Sequence, residues 1–194
     1  MSISTYSELK SAIASWVHRT DLTSPIADFI SLSESKFNRR LRTLHQETTF
    51  PASSPTDYEI TLPTDFKAAI KLWRTTDKKE LFPRSLTQVV EAQNGDYAAF
   101  YAINRSVLTL DGISEIKGTY YAKITALSDS ATTNWLLTAY PDLYLFAGLS
   151  EAAFYTKDTN AAAMWTERTD ALIREINTAE QRVKFSGPLR ITPR

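Results

Sequence analysis

The run Pro141–Tyr155, PDLYLFAGLSEAAFY, admits few kinds of fold. Pro141 suits the first turn of a helix, where no intrahelical N–H is needed and the ring sets φ in advance. Asp142 follows, a negative charge at the positive end of the helix dipole. Beyond it nearly every side chain is apolar or small: Leu143, Tyr144, Leu145, Phe146, Ala147, Leu149, Ala152, Ala153 and Phe154. A helix without a continuous polar face has to be covered on several sides. The run is too short to span a bilayer and is interrupted by Asp142 and Glu151, so the cover is protein. It reads as a central helix against which the other elements pack.

The chain is long enough to supply that cover, since 194 residues fill one core with room for a subsidiary lobe. Hydrophobic residues make up 43% and charged residues 23%, the balance of a soluble globular chain rather than a disordered one. Lysine plus arginine and aspartate plus glutamate number 22 each, so formal net charge is zero. That argues against strong non-specific attachment to nucleic acid or an anionic membrane, and leaves a local patch open. No cysteine occurs, which removes disulfides, thiolate nucleophiles and cysteine-ligated metals and fits an intracellular place of synthesis. MSISTYSELK has neither a basic n-region nor an apolar h-region, so no signal peptide is expected. No apolar run is long enough for a transmembrane span.

The first helix announces itself with Thr5-Tyr6-Ser7-Glu8, a capping box, followed by Leu9, Ala12, Ile13, Trp16 and Val17 on one face. Ser24-Pro25 reads as N-cap and first residue of a second helix, roughly Pro25–Leu44, forming an antiparallel hairpin with the first. Its C-terminal half is basic, with Lys36, Arg39, Arg40, Arg42 and then His45. Such a face either suits the negative end of the dipole in solvent or meets a neighbouring subunit or nucleic acid. From Thr48 to Thr125 prolines punctuate short runs, and Tyr58–Leu62, Ala68–Arg74, Phe100–Asn104, Val107–Asp111 and Gly118–Ile124 look like strands. Ser85-Leu86-Thr87-Gln88 is a second capping box, opening a short helix, and Asn94-Gly95 tolerates positive φ. After the central helix, Asp158 or Thr159 caps a last long helix whose seam is Trp165, Thr169, Leu172, Ile176, Ala179 and Val183, with Asp170–Arg174 as an i,i+4 pair. That helix stops by Ser186-Gly187-Pro188, and LRITPR is too short to fold alone.

Patterns that carry chemistry are scarce. His18 and His45 are the only histidines, no HExxH spacing exists, and both are expected to be structural or solvated. The glycines, at 95, 112, 118, 148 and 187, are too scattered for a phosphate cradle, and no GxSxG elbow is present. Asn104-Arg105-Ser106 matches a glycosylation sequon only by accident if no secretory signal exists. The aromatic clusters Tyr97–Tyr101 and Tyr120-Tyr121 could stack bases, but on strands they more often fill a sheet face. No enzyme, cofactor or metal site is therefore expected. Composition and spacing stop at a helical domain with a β insertion.

The N-terminal run YSELKSAIASWVHRTDLTSPIADFISLSESKFNRRLR resembles the opening of head-to-tail adaptor (connector) proteins of tailed bacteriophages, of the short-tailed, podovirus-like type. The resemblance continues through ITLPTDF, VLTLDG, TYYAKITALSDSATTNWLLTAYPDLYLFAGLSEAA and FSGPLRI, and is most specific over Thr133–Leu145. The acid followed by Asn-Arg that the family carries on its second helix is matched here by Glu34, Asn38 and Arg39. The resemblance implies an α+β, mainly α protein: a helical bundle of about four main helices with an inserted small antiparallel β-sheet lobe and an extended C-terminal tail. Its parts would be an N-terminal helical hairpin (1–47), a β-rich insertion (48–128), C-terminal helices (129–183) and the tail (184–194) of a single adaptor domain. It further implies a homo-oligomeric ring, usually a dodecamer, below the portal. The ring would extend the DNA channel and present a platform to a tail or nozzle protein, in a virion component made in the host cytoplasm. Double-stranded DNA would pass without tight binding, and no membrane is involved.

In such adaptors the C-terminal segment reaches the portal, which points to Phe185, Leu189, Arg190, Ile191 and Arg194. A ring needs one face of each subunit to meet a different face of the next. The basic side of the second helix, with Arg39, Arg40 and Arg42, is thus expected to meet Asp170, Glu175 or Glu180 next door. The competing reading is a helix-turn-helix DNA-binding module in which the same arginines touch phosphate. Zero net charge and the position of those arginines at the helix's C-terminal end speak against it.

Overall fold

The computed structural model describes residues 3–22, 24–93 and 95–184. In chain order its elements are α1 (Tyr6–Val17), a 3-10 turn (Thr20–Leu22), α2 (Ile26–Arg40) and a second 3-10 turn (Leu44–Gln46). Strands β1 (Glu47–Ser53), β2 (Glu59–Thr61), β3 (Phe66–Arg74) and β4 (Phe82–Pro83) follow, then α3 (Leu86–Glu91). Next come β5 (Phe100–Asn104), β6 (Val107–Leu110), β7 (Ile116–Ala122), α4 (Trp135–Ala139), α5 (Pro141–Tyr155) and α6 (Thr159–Lys184). The chain divides into two units: one runs to Leu44 and resumes at Ile124, the other is His45–Lys123.

Six helices and seven strands in two sheets, among the described residues, make this an α+β protein and not the mainly α bundle with one small antiparallel sheet expected from sequence. The β content is larger because two proline-containing runs are strands. Pro51 lies on β1, which pairs only with β7 and has a register break between Phe50 and Ser53, so its missing N–H interrupts no ladder. Pro83 lies on β4, which pairs in parallel with β5 and so makes that sheet mixed.

In the helical unit, α5 packs against α1, α2, α4 and α6, and its Leu143, Tyr144, Leu145, Ala147 and Leu149 are buried. Burying each large apolar side chain contributes about 1.5–3 kcal/mol, so this helix anchors the unit. Gly148 sits mid-helix because Ile13 of α1 lies where its Cβ would be, 2.5 Å from Cδ1. The capping box at Thr5 and Glu8 is formed, and Asp158 caps α6 through the Ala161 N–H at 3.0 Å. Ser24 does not cap α2; Pro25 occupies the N-cap position without a side-chain bond, and the helix ends at Arg40 rather than near Leu44.

In the sheet unit the strand orders are β1-β7-β3 and β2-β6-β5-β4. Phe50, Leu72, Ile116 and Tyr120 from the first sheet and Tyr101, Leu108 and Leu110 from the second form one core. The turn at Thr75–Lys79 is braced by Arg74, whose guanidinium donates to both Asp77 oxygens at 2.9 and 2.5 Å, with Lys78 at φ 58°. Gly112 has no positive φ; it is glycine because the Tyr97–Ala98 backbone passes 2.5 Å from where a Cβ would stand.

Candidate partner-binding surfaces

Glu34 and Asn38 are one helical turn apart on α2, and both receive the backbone that returns to the helical unit at Ile124. Asn38 Oδ1 accepts from the Ile124 N–H at 2.8 Å, and Glu34 Oε1 accepts from the Leu127 N–H at 2.8 Å and the Tyr144 hydroxyl at 3.0 Å. Asn134 completes the cluster, donating to Tyr144 Oη at 2.8 Å and to the Thr125 carbonyl at 2.7 Å while capping α4. Glu34 is 5% exposed. Burial pushes its carboxyl above the usual range, against the two hydrogen bonds that favour the charged form. Burial also pushes the Tyr144 hydroxyl up, reinforced by the Glu34 charge.

A second polar seam joins α2 to α6. Asp170 is bridged by Lys36 at 3.1 Å and by Arg40. Burial raises its carboxyl, but the hydrogen bonds from Arg40 and Lys36 outweigh that and hold it below the usual range. Asn177 donates to the Arg40 carbonyl at 3.0 Å and accepts from the Arg42 N–H at 2.9 Å, and Glu180 accepts from the Leu44 N–H at 2.8 Å. The Arg42 guanidinium donates to the carbonyls of Arg39 and Leu41 at the helix's end. Of the residues expected at a subunit interface, Arg40 and Asp170 are thus paired inside one chain, and Glu180 is bound to the Leu44 backbone. Asp170 pairs across helices and not with Arg174. Arg39 and Glu175 are exposed.

Those two point outward on different helices. Arg39 is two residues past the fully buried Phe37 and Glu175 two past the buried Ile173, about 200° around each helix from its core-facing side. Phe185, Leu189, Arg190, Ile191 and Arg194, expected to bind the portal, lie outside the described residues. His18 is the exposed C-cap of α1 in the left-handed region, and His45 is exposed in a 3-10 turn. Among the described residues no cluster of histidines and carboxylates has metal-ligating geometry, and no helix is long and apolar enough to cross a membrane.

Sequence reading missed a groove of about 410 Å³ where the end of α1 meets the end of α5 and the start of α6. Trp16 and Trp165 wall it, with ring centroids 5.9 Å apart, and Phe146 stacks on Trp165 at 5.4 Å. Trp16, placed on the core face by its spacing, is 52% exposed because it falls in the last turn of α1. Phe154 and Tyr155, at the end of α5, are 59% and 61% exposed. The sequence signal was there in the FY that ends an otherwise buried helix.

With so many polar side chains committed to holding backbone, the outward charges and the tryptophan-walled groove are the surfaces left open to a partner. The chain belongs to the SU10 adaptor protein family, which matches residues 4–192. It is a bacteriophage structural adaptor and not an enzyme, a virion component of the head–tail junction associated with portal and tail proteins. None of the curated proteins matches it.

Proposed function

We propose that copies of this chain form a cyclic ring, a dodecamer, below the portal of a short-tailed phage, extending the DNA channel and giving the tail or nozzle protein its platform. The observation that carries this reading is the family match over nearly the whole chain. Outward-facing charges of opposite sign on two helices support it, because a closed ring joins two different faces of one subunit. Zero net charge supports a channel lining on which DNA does not stick. The proposed subunit contact sets Arg39 of one copy against Glu175 of the next. The test is to mix the purified protein with the portal of its phage and follow the product by light scattering and negative-stain microscopy. A ring stacked on the portal is expected; a folded protein and an intact portal that do not associate would sink the reading.

The helix-turn-helix alternative fits the geometry poorly. Eight residues separate α1 from α2, where that motif uses a turn of about three or four. Arg40 and Arg42 are also engaged within the chain.

A further inference from the structure

We infer that the outer edge of β2 is a docking site for an extended, basic segment of another protein, taken up as an added strand.

The two sheets of His45–Lys123 share one core and differ at their two sides. On one side the chain seals the gap between them. Residues 79–84 bond first to β3, the Arg74 N–H donating to the Lys79 carbonyl at 3.0 Å and the Leu81 N–H to the Leu72 carbonyl at 2.9 Å. They then bond to β5 through the N–H groups of Phe82 and Arg84, at 3.0 and 2.9 Å. On the other side β1 and β2 are the arms of a hairpin that parts after one pair. Thr56 and Glu59 each donate to the other's carbonyl at 2.9 Å, across Asp57 and Tyr58, whose φ of 51° and 65° make the tight turn. Two residues further along each arm, Ser54 and Thr61 would form the next such pair. Instead Ser53 is already opposite Ile116 in the first sheet, and Thr61 is opposite Val107 in the second. A groove of about 530 Å³ opens between the arms.

The register of β2 on β6 settles which backbone groups face that groove. Leu110 donates to the Tyr58 carbonyl and Leu62 to the Ser106 carbonyl, both at 2.8 Å. The even-numbered residues of this strand therefore bond β6, and the odd-numbered ones turn outward. The outward groups of Glu59 are taken by Thr56. Those of Thr61, one N–H and one C=O, belong to a residue that lines the groove.

An open strand edge is a template for a further strand, and the other edges here are blunted. β1 carries Pro51 at a register break, and β3 has two register breaks and is covered at its end by residues 79–81. β4 sets Pro83, which has no N–H, at the outward position between Phe82 and Arg84. Among the described strands β2 alone keeps an unblocked edge, so a second copy has only its own β2 to offer. That pairing would put two Glu59 carboxylates on one short ribbon, with no cation in the lining of either groove. Glu59 is exposed, as is Asp57 in the turn, and both favour lysine or arginine on the incoming segment. The three residues of β2 give that segment about 10 Å of edge.

The test titrates the full-length protein with two end-blocked peptides, one alternating lysine with valine and one alternating glutamate with valine. Amide hydrogen exchange is read at Thr61. The lysine peptide is expected to bind about tenfold more tightly than the glutamate peptide and to slow exchange at the Thr61 amide. Glu59→Lys, at an exposed position, should reverse that preference. Thr61→Pro removes an outward N–H without touching the β6 ladder and should abolish binding of the lysine peptide. Should Thr61→Pro not fold, the reversal by Glu59→Lys carries the test alone. No binding of the lysine peptide, binding that leaves the Thr61 amide unprotected, or binding unchanged by Glu59→Lys overturns the inference. So does a Thr61 amide already protected in a free protein that self-associates in sedimentation, which gives the edge to a second copy. Assembly on the portal is scored separately and stands or falls on its own.

Discussion

Glu34 is the residue on which most converges, since one of its oxygens terminates both a backbone N–H and a buried tyrosine hydroxyl. Glu34→Ala leaves both donors without an acceptor and is expected to cost about 2–4 kcal/mol in chemical denaturation. Glu34→Gln keeps an acceptor oxygen and should cost far less. The two also differ in pH dependence. Because burial raises the Glu34 carboxyl, the folded protein holds that proton more tightly than the unfolded chain. Its contribution is fully present below the ordinary carboxylate range and is lost as pH rises through the raised value. Asp170 has the opposite sign: lowered by Arg40 and Lys36, it contributes above the ordinary range and loses that contribution as pH falls. Stability measured against pH should therefore lose its decline above the carboxylate range in Glu34→Gln, and part of its acid-side fall in Asp170→Asn. A Glu34→Gln profile that keeps the parent's slope would refute the assignment. That Glu34 and Asn38 matter was legible from their spacing within a resemblance. What they do was not, because their partners lie 93 and 86 residues away in the chain.

At the scale of elements, local chemistry read well and long-range registration did not. Both capping boxes, at Thr5 and Ser85, formed where four-residue patterns place them, because every atom involved is local. Thr5→Ala is expected to cost about 1 kcal/mol, seen as a lowered melting temperature. The seam of α6 was only half legible. Thr169 and Ile176 are buried as their spacing suggests and Leu172 packs partly buried against the core, but Ile173 is the more deeply buried and Val183 is 62% exposed. The reason is that α2 ends at Arg40, so the later turns of α6 face an extended backbone instead of a helix. Polar side chains serve that backbone better than apolar ones. Asn177→Ala is accordingly expected to cost about 1–3 kcal/mol by leaving the Arg40 carbonyl and the Arg42 N–H without partners. Equilibrium denaturation of the single variant measures it; a change below a few tenths would show the contact to be dispensable.

For the whole molecule, proline punctuation hides two strands from the sequence, because β1 and β4 accommodate Pro51 and Pro83 at a register break and on a sheet edge. The outward charges bear on assembly. Arg39→Glu alone should reduce ring formation on the portal, and adding Glu175→Arg should restore it, with unfolding of both variants matching the parent because neither residue is buried. Restoration failing while both variants fold would move the subunit contact elsewhere. The backbone on either side of His45–Lys123 is fastened to the helical frame, Leu44 by Glu180 and Ile124 by Asn38. Within that stretch the first and last strands are hydrogen-bonded neighbours, Glu47 opposite Tyr121. Its two ends therefore emerge side by side from already secured moorings, as they do in an exchangeable cassette. Loops and strands between them can lengthen or shrink without moving the ties at Leu44 and Ile124.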